Sequence, residues 1–421
     1  MSGMRESSVQ QDFDIAIVGG GMVGASLACA LGNCGLQIGV LDRAPFDPEW
    51  ETSAGKFDFR VSAISPSSQN FLRHIGAWNE ITPQRISPYL EMNVWDGEGT
   101  GVVHFDAADV NADELGFIIE NREILRSLYR RMADFSNIRV LTPYTVESFK
   151  TTPQGPITLT TVEGETLSID LLIGADGPGS PVRKLAGFRT REWDYQHQAI
   201  VTTVRTELPH QQTARQRFMD SGPLAFLPLS SEHSTESVSG SGAQHYCSIV
   251  WSVLPQRAEQ LQALDDGAFA AELARCFEYR LGQIEWVDQR FAVPLRQRHS
   301  IDYVQDRIAL IGDAAHTIHP LAGQGVNLGF QDSRALAGVI NESLAQGTGV
   351  ACYPALRRYQ RQRKGANLGM MWVMEGFKQL FAPQPLPVMW LRNAGMRGVN
   401  NFSPLKNQLI RRAMGLEATG I

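Results

Sequence analysis

The sequence predicts an α/β protein in which a parallel sheet with crossover helices is interrupted by antiparallel β-rich segments and followed by a helical tail. Three observations predict this. A strand, a glycine-rich turn and a small-residue helix follow one another between Phe13 and Leu31. Two later apolar strands, Ile169–Ile173 and Ile308–Ile311, each run into a small-residue turn containing an aspartate. Between these landmarks, segments such as AIVTTVRTE and CSIVWSVLP alternate apolar and polar residues at the period of a strand with one buried face.

Bulk properties narrow the field. A chain of 421 residues holds two or three domain-sized units, and 43% hydrophobic with 19% charged residues is a globular composition. A net charge of −6 argues against nucleic-acid binding, since no basic excess is available to displace counterions. The basic run Arg357–Lys364 reads as a solvated helix face. Five cysteines (Cys29, Cys34, Cys247, Cys276, Cys352) form no C-x-x-C pair, which fits a reducing cytoplasm rather than a disulfide framework. The apolar stretch Ile15–Leu31 lacks the positive flank of a signal peptide, and no apolar run reaches the ~18 residues of a membrane span. A cytoplasmic protein is expected, with peripheral membrane contact left open.

The first element reads FDIAIVGGGMVGASLACALGNCGLQIGVLDR. Ile15, Ile17 and Val18 form a buried strand, and Gly19, Gly21 and Gly24 fill G-x-G-x-x-G. Ala25–Leu31 is a helix ended by Gly35, and Leu36–Leu41 is a second strand closing with Asp42, 18 residues past Gly24. A lone G-x-G-x-x-G says little. One that follows a strand, opens a helix and leads to an acid about 20 residues on is the fingerprint of a Rossmann-like dinucleotide site. Its glycines let backbone approach a pyrophosphate at a helix N-terminus, and the acid accepts from ribose hydroxyls. FAD and NAD(P) both remain open at this point.

The second element, LSIDLLIGADGPGSPVRKLAG, is a strand ending at Asp176-Gly177, with Ser180 and Arg183 opening a helix. The third, RIALIGDAAHTIHPLAGQGVNLGFQD, places Asp313 at the carboxyl end of a buried strand, where ligands bind in α/β sheets. A helix starting near Gly325 aims its positive end back at the loop.

In this order, GxGxxG, GADGxxSxVR and GDAAHxxxPxxGQGxN resemble the FAD-dependent aromatic hydroxylases of the p-hydroxybenzoate hydroxylase group. Within it, FRVSAISPSSQNFLRHIGAW, IIENREIL, WDYQHQA, GPLAFLPLS, CSIVWS and LIRRAMGL are similar to the ubiquinone-biosynthesis hydroxylases, nearest to the branch acting on polyprenylphenols. The resemblance covers nearly the whole chain. It implies that Gly19, Gly21 and Gly24 meet the FAD pyrophosphate and that Asp42 holds the adenosine ribose, where the family usually has Glu. Arg60 and Arg122 correspond to contacts near the diphosphate and ribityl chain, and Asp313 to the ribityl or phosphate region. Pro320, Gly323, Gly325, Val326 and Asn327 would line the isoalloxazine ring, and Asp176 belongs to a motif associated with both FAD and NAD(P)H. The implied reaction is ring hydroxylation of a prenylated phenol with O2 and NAD(P)H through a flavin hydroperoxide. No catalytic acid or base and no metal are assigned, and a homo-oligomer is expected, with other ubiquinone-biosynthesis proteins as further candidate partners. No second G-x-G-x-x-G marks a separate nicotinamide domain.

This division gives a FAD-binding domain of residues 12–86, 115–192 and 290–345. The antiparallel β-sheet substrate domain takes 87–114 and 193–289, including a helix over Gln256–Leu281, and a C-terminal helical region takes 346–421. Ser230–Gln244 reads as a Ser/Gly-rich surface loop. In the tail, Met370, Met371, Met374, Phe377, Leu380 and Phe381 fall roughly on one helical face, which packs against the FAD domain or another subunit, or else admits a prenyl tail. His316 and His319 could suggest a metal site, but Pro320 disfavours a helix holding both, and an Asp313–His316 hydrolytic relay lacks a nucleophile elbow. Histidines that order the loop are the favoured reading. A flavin-dependent reductase on the same fold, or a flavoprotein that holds a complex together, remain as alternatives.

Overall fold

A computed structural model of the chain describes residues 12–45, 57–152, 155–230, 244–317, 325–381 and 386–415. Most of the Ser/Gly-rich loop, together with His319, Pro320 and Gly323, lies outside the described residues.

The cofactor region is built on five parallel strands in the order Ile308–Leu310, Thr166–Gly174, Phe13–Val18, Ile38–Leu41 and Ile138–Leu141. The inner strands are near-continuous apolar runs because both faces are covered, whereas the edge strand Ile138–Leu141 exposes Arg139 and Val140. Ile15, Ile17, Val40, Leu172 and Leu310 are all 0% exposed. The helices Met22–Leu31, Asn121–Ala133 and Gly325–Ala345 pack on one another over this sheet. The first of them starts directly after Gly21, earlier than its small residues alone predict.

A nine-stranded sheet carries the inserted region. It runs from His316–Thr317 through Phe291–Ser300, Thr190–Thr206, Tyr246–Val253, Gly222–Leu229, Thr213–Met219 and Glu91–Asp96 to Val102–Asp106, with Ile284–Val287 at the side. The period-two reading holds here. Leu224 and Phe226 face a core shared with Ile249, Trp251, Phe269 and Leu273. Ala225, Leu227 and Leu229 face the opposite core, with Tyr89, Leu115 and Ile118. Each fully buried Leu, Ile or Phe here contributes roughly 1.5–3 kcal/mol relative to an exposed one.

A three-stranded sheet (Val61–Ile64, Gly116–Glu120, Ser87–Tyr89) is the wall between the two large sheets. Alternation along FIIE shows how: Phe117 and Ile119 enter the cofactor core, and Ile118 enters the core of the nine-stranded sheet.

Two expectations are corrected. The helix predicted over Gln256–Leu281 is two helices, Pro255–Ala263 and Asp266–Cys276. Leu264 leaves helical geometry with ψ 148°, and the Asp265 carboxylate caps the second helix by accepting from the Ala268 amide at 2.7 Å. Second, Phe291–Ser300, grouped by sequence with the cofactor region, pairs along its length with Thr190–Thr206 and so belongs to the nine-stranded sheet. The boundaries at residues 192 and 290 do not follow the strands.

The tail joins both regions. In the helix Tyr353–Phe381, Leu356 and Tyr359 are buried in the cofactor core, and Gln360 Oε1 accepts from the Tyr303 and Val304 amides at 2.8 and 3.1 Å. Farther on, Phe381 stacks on Phe218 at 4.0 Å. From the next helix, Leu386–Asn401, Arg392 Nε donates to the buried Asp96 carboxylate at 2.8 Å. Ile410 and Met414 of the last helix, Ser403–Ala413, and the residue after it, complete the core around Tyr89. The tail therefore packs against the nine-stranded sheet as well as the core of the parallel sheet. Among the described residues, no helix is long and apolar enough to cross a membrane.

Candidate cofactor and active site

The first two motifs meet at backbone level. Gly19 takes φ +108°, and a Cβ on Gly24 would lie 2.0 Å from the Gly19 carbonyl oxygen. The strand Phe13–Val18 reaches the second motif directly, with the Ala175 amide donating to the Val18 carbonyl at 2.8 Å. Gly21 differs from both neighbours: a Cβ there would meet nothing within 4 Å. It also caps the Met22–Leu31 helix without any side-chain hydrogen bond, leaving the first amides of that helix without a side-chain partner. An open side beside such amides is what an anion needs. Below the turn, Asp42 accepts from the Gly20 amide at 2.6 Å and the Ala44 amide at 3.0 Å. It remains partly exposed, so its remaining lone pairs can accept from a ligand hydroxyl.

The second and third motifs are cross-linked by a side chain. Arg183, 3% exposed, donates to the Ala314 carbonyl at 2.8 Å and the Pro178 carbonyl at 2.7 Å. Asp176 accepts from the Val182 amide at 3.0 Å, and its other oxygen has no hydrogen-bond partner. Burial raises the Asp176 carboxyl, against the Ser180 hydroxyl and Val182 amide that lower it. Asp313 is exposed, yet dense protein around it pushes its carboxyl up, with His316 and Arg60 pulling it down. Water reaches this carboxylate, which weakens the effect of that burial.

Arg60 and Arg122, 62 positions apart in the sequence, are brought together by one carboxylate. Asp58 accepts from the Arg60 amide through Oδ1 and the Arg122 amide through Oδ2, each at 3.2 Å. At the start of the Gly325–Ala345 helix, the buried Asn327 amide is engaged through both its oxygen and its nitrogen. It accepts from the Ser65 amide at 3.0 Å and donates to the Ala63 carbonyl at 2.7 Å, tying this helix to the dividing sheet. Val326 packs against the cofactor core, and a Cβ on Gly325 would meet nothing within 4 Å.

Comparison with known proteins identifies the family. The family described as FAD binding domain matches residues 12–371. The chain belongs to this family. It is 35% identical over 96% of its length, and 99% of the relative's, to the 3-demethoxyubiquinol 3-hydroxylase of Escherichia coli (strain K12). It is 33% identical to the ubiquinone hydroxylase UbiL of Rhodospirillum rubrum, with 98% of this chain and 92% of that one covered. The human mitochondrial ubiquinone biosynthesis monooxygenase COQ6 is 31% identical over 96% of this chain and 93% of that one. Among solved structures, p-nitrophenol 4-monooxygenase PnpA of Pseudomonas putida DLL-E4 shares the fold, with TM-score 0.76 at 17% identity over 97% of this chain and 99% of that one. The FAD-dependent aromatic hydroxylase expected from the motifs is thus the family found.

The residues of this FAD-dependent monooxygenase fit the cofactor. The open side of Gly21 and the uncapped amides behind it suit an anionic group, and the unpartnered Asp176 oxygen suits a hydroxyl or N–H donor. The sequence reading missed the scaffold under the third motif. Asp332, 0% exposed, accepts from the Gly312 amide at 3.1 Å, His316 Nε2 at 2.5 Å, Arg363 Nε at 2.7 Å and Asn367 Nδ2 at 3.2 Å. His316 is therefore occupied by Asp332 in the structure. Tyr129 was also missed: its hydroxyl sits against Gly20, and burial, with the Asp42 charge, pushes it up to about 12.

Proposed function

We propose that this flavoprotein hydroxylates the aromatic ring of a polyprenylated phenol in ubiquinone biosynthesis, using O2 and NAD(P)H. The observation that carries this reading is the likeness, along nearly the whole chain, to hydroxylases and monooxygenases named for that pathway. Bound FAD, once reduced, supplies the chemistry by activating O2 for transfer of one oxygen atom to the ring.

In this reading Gly19, Gly21 and Gly24 admit the pyrophosphate, Asp42 holds the ribose, and Arg60 and Arg122 meet the diphosphate and ribityl chain. Asp313 binds the ribityl or phosphate region, and Asp176 serves the FAD and NAD(P)H side. Pro320, Gly323, Gly325, Val326 and Asn327 border the ring, Asn327 by positioning the helix rather than by a free amide. The positive end of the Gly325–Ala345 helix favours negative charge on the reduced cofactor. On the substrate side, Val201, Ala225 and Val250 are cross-strand neighbours that give the sheet an apolar face, and Phe59 stacks on Phe291 at 4.2 Å to join it to the cofactor region. The protein's task is to orient the ring and keep water away from it.

Mass spectrometry of quinone precursors in a strain lacking this protein is the direct test. Accumulation of an unhydroxylated polyprenylphenol is expected, and an unchanged precursor pool would sink the proposal. A late demethoxy quinol as substrate is the second reading, favoured by the name of the Escherichia coli relative, and accumulation of that compound would select it. Incubation under labelled O2 should place one labelled oxygen in the product; an unlabelled product would mean a reductase. For the cofactor site, Asp313→Ala protein is expected to emerge from purification colourless, and a fully yellow, active variant would overturn the role given to Asp313.

A further inference from the structure

We infer that the outer face of the C-terminal helices is a docking surface for an anionic lipid bilayer. The three most exposed aromatic residues among the described ones are Trp372 (73%), Trp390 (70%) and Phe402 (59%), and all lie on this tail. Leu405 and Leu409 follow Phe402 at helical spacing and are exposed too. Their helix already buries Ile410 inward, so it carries a second apolar stripe turned away from the protein. On the helix Leu386–Asn401 the same division holds. Arg392, Asn393 and Met396 are buried, whereas Trp390, Ala394 and Arg397, at i, i+4 and i+7, are exposed.

Charge identifies the occupant. Between Glu375 and Glu417 there are six basic residues (Lys378, Arg392, Arg397, Lys406, Arg411, Arg412) and no Asp or Glu, in a chain whose net charge is −6. Arg392 is spent on Asp96 and Lys406 on Asp109, but Arg397 and Arg411 are exposed. Tryptophan beside Arg and Lys is the composition of a membrane–water interface, where amphipathic rings sit at headgroup level and cations meet anionic lipid. A second copy of this chain is a poorer fit, because a two-fold interface would set this basic face against itself. The inference stands on the surface alone and is independent of the substrate proposed above.

Co-sedimentation of the FAD-loaded protein with vesicles tests it. Binding is expected to phosphatidylglycerol–phosphatidylcholine vesicles and to fall sharply on pure phosphatidylcholine. A Trp372→Ser/Trp390→Ser/Phe402→Ser variant and an Arg397→Glu/Arg411→Glu variant should each bind anionic vesicles about tenfold or more weakly. Both should keep their FAD and their NAD(P)H oxidation in solution, which separates a lost surface from a lost fold or active site. Equal binding by either variant, or binding indifferent to lipid charge, overturns the inference. So does a wild-type dimer in light scattering that the aromatic variant converts to a monomer, since a second copy would then cover the face.

Discussion

An Asp332→Ala variant is expected to lose about 3–5 kcal/mol of stability, the usual cost of removing one partner from a buried charge cluster. The carboxylate is 0% exposed and holds the Gly312 amide, His316, Arg363 and Asn367. Without it, the Arg363 guanidinium, whose side chain is 10% exposed, faces the interior without its counter-ion. Urea unfolding measures the loss, and a midpoint within experimental scatter of wild type would show that the cluster is not structural. The same group sets a pH dependence. Burial alone would raise the Asp332 carboxyl, but His316 and then Arg363 more than offset this and hold it at about 2, below its ordinary 3.8. A depressed carboxyl stabilises the fold fully above its unfolded value and loses that contribution as pH falls toward its folded value. Stability from this group should therefore decline between about pH 4 and pH 2. An Asp332→Asn variant, which cannot ionise, should lack that part of the decline.

Gly24→Ala and Gly21→Ala should fail in opposite ways. At Gly24 the new Cβ would stand 2.0 Å from the Gly19 carbonyl oxygen, so the turn or the helix must shift. Overpacking against backbone costs ~1–3 kcal/mol or more, and both thermal stability and FAD content should fall. At Gly21 the new methyl meets no protein atom within 4 Å, so the cofactor-free protein should lose only about 1 kcal/mol, the cost of Ala in place of Gly at a helix N-cap. Its FAD affinity should nevertheless drop roughly 10- to 100-fold, because the methyl enters the side where cofactor approaches backbone. Equal FAD affinity for Gly21→Ala and wild type would displace the pyrophosphate from this turn.

What the sequence made legible was local. G-x-G-x-x-G, Asp-Gly and Gly-Asp each sit at the end of an apolar strand, and strand, turn and helix are written in consecutive residues. Partners supplied by another element left no such trace. Asp332 stands in the same 26-residue stretch as Asp313, yet its partner Arg363 is 31 residues away on a different helix. Arg183 closes the second motif, but what it holds is the Ala314 carbonyl, 131 positions on. Likewise Asn327 reads as a ring-lining residue until its amide is seen bound to Ala63 and Ser65, more than 260 positions back. The strand Phe291–Ser300 was hidden for another reason. It contains Pro294, which strand patterns disfavour, and three of its last five residues are Arg or His, so its alternation is weak. Pairing with Thr190–Thr206 overrides that local signal.

That strand has a mechanical consequence. Its last residues also pair with His316–Thr317, and Arg298 reaches both Glu192 and the Pro178 carbonyl of the second motif. One strand thus runs from the nine-stranded sheet to the turns of the second and third motifs. Its hydrogen bonds tie the sheet to Pro178 and to His316 at once. Were a ligand on the sheet to displace this strand, the shift would reach both turns, and any coupling of affinities between the two sides would be reciprocal.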